Sequence, residues 1–344
     1  MRLASDQIGL ELPSGRAPLP TLDRRQRGTD FIGMQVTRLA NAPESTGMPF
    51  WSINPYIGCE FGCSYCYARD THRWTSERNE LTRERLPAEE FERRIFVKQN
   101  AALMLQQTLD PGKVGHNPIA IGTATDPYQP AERRFGVTRS ILEAFRGYRG
   151  LSIHITTKSP LVARDIDLLL ELRRRHQVSV NISLIALDPE LIRRLEPKTP
   201  LPHARLRALQ ALTDAGIEAG LMIAPIIPGL TDGWGALGGL MAAAKEAGAR
   251  FADGSALRLG PVARSGFLPA LEREFPKLLD RYRRRYARRH DAGRDYLEAL
   301  GKRLRTLQRI HGFPENFSHR SAERQLSVEN RRGATLQPNL TLMP

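Results

Sequence analysis

Six short apolar runs separated by segments of helix length constrain this chain more than any other feature. The runs are Ser52–Ile57, Pro118–Ala124, Ser152–Thr157, Val178–Ile185, Ala219–Ile226 and Ser255–Gly260. Between most of them lie amphipathic stretches. One is Val162–Arg175, where Ile166, Leu169, Leu170 and Leu172 recur near helical spacing; another is Ala204–Ala215. Runs apolar on both faces, alternating with helices, predict a parallel sheet joined by right-handed crossovers. Six strands suffice for a partial (β/α)6 TIM-like barrel of the α/β class and fall short of a closed eight-stranded one. In such architectures ligands sit at the carboxyl ends of the strands, so the loops after the runs are where chemistry is expected.

Organisation along the chain follows from the same pattern. Residues 1–48 are expected to form an N-terminal arm, partly flexible, because 1–30 are rich in Pro, Arg, Gly and polar residues without a period. The core barrel is expected over 49–262. Helices at roughly 266–290 and 292–310 make a C-terminal helical extension over 263–315, and 316–344 form a polar tail. Within the extension, Leu278–His290 places Arg281, Arg284, Arg285 and Arg288 on one helical face and Leu279, Tyr282 and Tyr286 on another. Arginines interleaved with aromatics can contact nucleic acid. The same pattern is the ordinary one for a surface helix whose tyrosines pack and whose arginines are solvated, and that reading is preferred.

Composition bounds the partners. At 41% hydrophobic and 26% charged residues the chain is an ordinary globular protein. It has no run near the roughly 18 apolar residues of a membrane span, so no membrane partner is expected. The first residues lack the apolar stretch of a signal peptide, which makes a cytoplasmic location the expectation. The formal net charge of +14 suits nucleic acid or another polyanion, although an Arg-rich genome alone produces the same excess.

Only three cysteines occur, all within Cys59–Cys66, in Asn54-Pro-Tyr-Ile-Gly-Cys-Glu-Phe-Gly-Cys-Ser-Tyr-Cys-Tyr-Ala-Arg69. An odd, clustered set of thiols is a metal site rather than a disulfide framework. The C-x3-C-x2-C spacing lets one short loop reach three corners of a [4Fe–4S] cube, which normally takes four thiolates. Three ligands leave one iron open, as catalysis requires. Gly58 and Gly62 permit sharp bends and close backbone approach. Such clusters reach potentials as low as about −700 mV, suited to delivering an electron to a sulfonium. A structural zinc site with His72 as fourth ligand is the alternative; zinc favours ligands paired two and two, and here three crowd one loop.

The motif resembles the signature of the radical S-adenosylmethionine (SAM) superfamily, with Tyr65 as the aromatic before the last cysteine. Together with Thr-Asp-Pro-Tyr-Gln-Pro-Ala-Glu at 125–132 and Ile-Thr-Thr-Lys-Ser at 155–159, it resembles the spore photoproduct lyase-like (DNA repair photolyase-like) branch over roughly 50–260. The resemblance implies a partial (β/α)6 barrel and a radical SAM enzyme. Such an enzyme reductively cleaves SAM at a [4Fe–4S] cluster held by Cys59, Cys63 and Cys66, and the 5′-deoxyadenosyl radical abstracts hydrogen from a substrate. It also implies an external one-electron reductant of flavodoxin or ferredoxin type, and lyase or related chemistry on a substrate that it does not identify, with nucleic acid as the candidate. It assigns Tyr65, Thr125, Asp126, Lys158, Ser183 and Ala224 to SAM. Thr125 and Asp126 would accept from the methionyl ammonium, Lys158 would meet the carboxylate, Ser183 a ribose hydroxyl, and Ala224 would pack the adenine. The repair enzyme of that branch uses a further cysteine as hydrogen donor; no fourth cysteine exists here, so Tyr67 or Tyr128 is the candidate catalytic hydrogen donor. Glu196 and Arg205 form either an ion pair or a substrate clamp, and as an exposed pair would contribute only about 0–1 kcal/mol. Two other classes remain: a nucleic-acid-binding protein with a structural metal loop, and an iron–sulfur electron-transfer protein, which would need a fourth ligand.

Overall fold

The computed structural model describes residues 21–24, 28–69 and 88–315. His72 and the tail expected over 316–344 lie outside the described residues.

The larger sheet has seven strands in the order β3-β4-β7-β8-β9-β10-β11. These are β3 (Ala40–Asn41), β4 (Trp51–Ile53), β7 (Ile119–Ile121), β8 (Ser152–Thr157), β9 (Gln177–Ser183), β10 (Glu218–Ile226) and β11 (Ala252–Ala256). From β4 onward each strand pairs in parallel with the next of this series; only β3 is antiparallel, at the edge. Sequential parallel strands winding one way are the partial barrel, and it stays open because β11 is not hydrogen-bonded back to β4.

Local sequence explains these strands. Ile153, Ile155, Val178, Val180 and Ile182 are buried and alternate with Ser152, His154, Thr156, Ser179, Asn181 and Ser183. One sheet face is therefore apolar and the other polar. The apolar set shares one core with Leu168, Leu169 and Leu172 of α3 (Ile166–Arg173), Leu209 and Leu212 of α5 (Pro202–Asp214), and Leu237, Leu240 and Met241 of α6 (Trp234–Glu246). Helices thus cover the apolar face, leaving the polar row on the inner wall. There His154 lies between Ser152 at 2.9 Å and Ser179 at 2.7 Å, and burial pushes its imidazole down to about 4. The other long helices are α1 (Ala101–Thr108), α2 (Val137–Ala144), α4 (Pro189–Leu195), α7 (Pro261–Glu274), α8 (Leu279–Arg285) and α9 (Arg294–Ile310). Proline opens α4, α5 and α7, where its missing N–H costs nothing.

The structure departs from the sequence expectations in four places. The run Ser52–Ile57 divides: after β4 the chain leaves the barrel sheet, and β5 (Tyr56–Ile57) pairs antiparallel with β6 (Arg94–Lys98). Within the stretch expected to be an arm, β1 (Thr21–Arg24) and β2 (Asp30–Met34) complete a second sheet in the order β1-β2-β6-β5, with Phe31 fully buried. The sixth barrel strand is Ala252–Ala256, so Leu257 and Leu259 are buried in the following loop instead. The helix expected over 266–290 is broken at Phe275–Pro276, since Pro276 cannot continue the hydrogen-bond ladder, and α8 ends at Arg285.

The tyrosines of the Arg-rich stretch, in α8 and at its end, pack inward. Tyr282 and Tyr286 are buried and stacked, with ring centroids 5.7 Å apart. Their hydroxyls donate to Pro228 O at 2.6 Å and Leu257 O at 3.2 Å, in the loops after β10 and β11. Arg281, Arg284 and Arg288 are exposed, while Arg285 lies over the Tyr296 ring. This is the packed-tyrosine, solvated-arginine pattern.

Candidate active site: the cysteine loop at the barrel mouth

The cysteine loop leaves β5 and is clamped from three sides. From the helical turn Ala88–Glu92 that leads into β6, Phe91 O accepts from Cys59 N at 2.9 Å. From the loop after β7, Thr125 Oγ1 donates to Gly58 O at 2.6 Å and Gln129 Nε2 to the same oxygen at 3.2 Å, while Gln129 Oε1 accepts from Glu60 N at 2.9 Å. From the segment after α4, Leu195 O accepts from Ser64 N at 2.9 Å and Phe61 O accepts from Lys198 N at 3.3 Å. Gly58 has φ 87°, and a Cβ there would lie 2.7 Å from Arg94 O and 2.8 Å from Phe91 O, so both conformation and space demand glycine.

All three thiols are held above their ordinary range. Burial is the main cause for each: it pushes Cys59 up to about 12, Cys63 well up, and Cys66 up. Asp126 adds to the rise at Cys59, whereas Lys158 opposes it at Cys63. Among the described residues, no three His, Cys, Asp or Glu side chains converge on a single ion. A mononuclear zinc needs four donors at about 2.0–2.3 Å from one point, whereas the cysteines of an iron–sulfur cube sit at separate corners.

The remaining expected residues divide into two groups. Asp126, Lys158, Ser183 and Ala224 lie at the ends of consecutive barrel strands, around the loop. Asp126 Oδ1 accepts from Thr157 Oγ1 at 2.6 Å and Tyr128 N at 2.9 Å, and Oδ2 accepts from Lys158 N at 2.7 Å. It therefore joins the β7 and β8 ends, and burial raises its pKa. Lys158 Nζ stands 6.0 Å from the Tyr65 ring centroid. Burial alone would lower its pKa, but Cys63, Glu196 and Asp126 more than offset this and raise it. Ser183 Oγ donates to Ala224 O at 3.3 Å, linking β9 to β10. Tyr67, 49% exposed, projects beside Cys66 and donates to Thr123 O.

The second group is taken up inside the protein. The Thr125 hydroxyl donates to the loop backbone, so its structural work is to brace Gly58. Tyr128 is fully buried at 0% exposure beside Asp165, and burial raises its phenol well above the usual range. It packs in the core, whereas the other candidate hydrogen donor, Tyr67, is half-exposed. The Asp126-Pro127 turn is what aims Tyr128 inward, with Tyr128 N bonded to Asp126.

Glu196 and Arg205 differ most from expectation. Both are 0% exposed and paired. Glu196 accepts from the Tyr65 hydroxyl and, at 3.1 Å, from Thr199 Oγ1. Arg205 donates to Pro200 O at 2.8 Å and Ser183 O at 2.9 Å. The pair reaches from the cysteine loop to the end of β9. The signal in the sequence is a glutamate before a proline-rich turn and an arginine in the first turns of the next helix, and neither carries a mark of burial.

Comparison with known proteins agrees with this geometry. Residues 53–235, just over half of the chain, match the model of the Radical SAM superfamily. The chain belongs to that superfamily. An uncharacterized protein of Mycobacterium tuberculosis is 35% identical over 320 residues, covering 89% of this chain and 92% of its own length. One from Methanocaldococcus jannaschii is 32% identical over 203 residues, covering 59% of this chain and 70% of its own. Among solved structures, spore photoproduct lyase complexed with dinucleoside spore photoproduct is similar in fold, with a TM-score of 0.55 at 18% identity, covering 76% of this radical SAM protein and 74% of that chain. No helix among the described residues is long and apolar enough to cross a membrane.

Proposed function

We propose that this radical SAM protein is an enzyme holding a [4Fe–4S] cluster on Cys59, Cys63 and Cys66 and binding SAM beside it. The observation that carries the reading is the three-thiol loop, with Cys59 and Cys63 buried and Cys66 partly so, braced from three sides at the carboxyl ends of the parallel strands. Its donor set is sulfur alone and fits a cluster with one iron left open. A cluster and SAM held there would supply reductive cleavage of a carbon–sulfur bond and radical hydrogen abstraction, with the electron drawn from an external reductant of flavodoxin or ferredoxin type.

The chain's own residues orient that chemistry. Lys158, its charge held by Cys63, Glu196 and Asp126, is placed to meet the SAM carboxylate. Asp126 keeps lone pairs beyond its three internal bonds and can accept from the ammonium. Ser183, Ala224 and Tyr65 bound the nucleoside side. Tyr67, half-exposed next to Cys66, is the residue positioned to give or take a hydrogen atom at the mouth. A nucleic-acid substrate fits the net charge of +14 and the exposed Arg281 and Arg284 of α8, which packs against the mouth loops, with Arg288 just beyond its end.

Anaerobic reconstitution with iron and sulfide tests the ligands. The wild-type chain is expected to turn brown with charge-transfer absorption, and Cys63→Ala to bleach. Full colour and iron in Cys63→Ala would sink the ligand assignment.

A further inference from the structure

Beyond the share of Glu196 in holding the charge of Lys158, the Glu196–Arg205 pair has no part in the chemistry proposed above, yet it is fully buried. Taking two charges out of water costs several kcal/mol per ion, and well-packed apolar residues of similar volume are often as stable. Its placement suggests what it does. The guanidinium end is fixed to Pro200 O, Ser183 O and Thr199 Oγ1, at 2.8, 2.9 and 2.5 Å. The carboxylate end faces the cysteine loop, bonded to Tyr65, the residue between Cys63 and Cys66. The adjoining Leu195 O also accepts from Ser64 Oγ at 3.1 Å. Glu196 acts directly on the electrostatics of Cys63, where Lys158 opposes it; Asp126 acts on Cys59 and Arg69 on Cys66.

We propose that Glu196, oriented by Arg205, is a positioning residue that sets a fixed negative charge beside the Cys63 corner of the loop and holds the reduction potential of a cluster bound there low. This rests on the cluster-binding reading above. Adding an electron next to fixed negative charge is opposed by Coulomb repulsion, which is strong in a buried, weakly screened setting. Cluster potentials respond to net charge, hydrogen bonding and exposure. Arg205 keeps the carboxylate ionised and holds it in place.

The test compares the reconstituted wild-type chain, Glu196→Gln and Arg205→Lys. Each is titrated with reductant under electron paramagnetic resonance without SAM, beside iron content and thermal melting. Glu196→Gln keeps an acceptor for Tyr65 and removes the charge. It is expected to raise the potential, so that at fixed solution potential the reduced-to-oxidised ratio rises about tenfold, or ~59 mV for one electron. Arg205→Lys keeps the charge and loses the forked contacts, so it should melt lower with an unchanged potential. A Glu196→Gln potential equal to wild type overturns the proposal, as does a rise of the same size in Arg205→Lys. If wild type loads no iron, the cluster reading fails and takes this proposal with it. If iron loads and the potential stays put, the proposal alone fails.

Discussion

Arg205→Met is expected to destabilise the folded chain by about 3–5 kcal/mol, measured by denaturant unfolding of the metal-free protein. The substitution removes the partner of a carboxylate with no exposed surface. It also strips donors from Pro200 O, Ser183 O and Thr199 Oγ1. The residual Glu196 charge, rather than the lost pair, is the larger part of the penalty, because one unpaired buried ion is worse than none. Glu196→Gln/Arg205→Met should therefore recover most of the loss. A single variant within 1 kcal/mol of wild type, roughly the range of exposed pairs, would show that water reaches the site.

The second large effect is expected at Gly58. Gly58→Ala must hold a left-handed conformation at φ 87° and bring a Cβ to 2.7 Å from Arg94 O and 2.8 Å from Phe91 O. Both neighbours are backbone and cannot swing aside. Strain and overpacking of this kind cost about 2–4 kcal/mol, and the chain relieves them by moving the loop. Displacement breaks the bonds that Gly58 O receives from Thr125 and Gln129, so most reconstituted iron should be lost along with stability. Gly47→Ala is the control. It shares the positive φ, at 67°, but its Cβ would meet nothing within 4 Å, so it should melt lower while keeping its iron. Equal iron in both variants would show that the tight fit at Gly58 is immaterial.

The barrel was legible because its information is local. Buried Ile153 and Ile155 alternating with His154 and Thr156 announce a strand, and the leucines of α3 and α5 announce helices. The cysteine loop was legible for the same reason: its three thiols lie within one short span. The second sheet was not, since Asp30–Met34 joins Arg94–Lys98 far along the chain, and nothing in either short run names the other. The strand expected at Ser255–Gly260 sits earlier because Leu257 and Leu259 are apolar for another purpose, burial in the loop after β11, whose backbone bonds to Tyr286 and His290. The Tyr65–Glu196–Arg205 network was misjudged as exposed because its members are far apart in sequence, 131 positions from Tyr65 to Glu196. The burial of Tyr128 was not legible because an Asp-Pro turn can aim the next side chain either way, and here it is packed in the core.

The most direct measurement is 5′-deoxyadenosine formation by the anaerobically reconstituted chain, given dithionite and SAM. The account predicts that the nucleoside forms with wild type and not with Cys66→Ala. A wild-type chain that assembles its full cluster and yields no 5′-deoxyadenosine, with or without added nucleic acid, would contradict it.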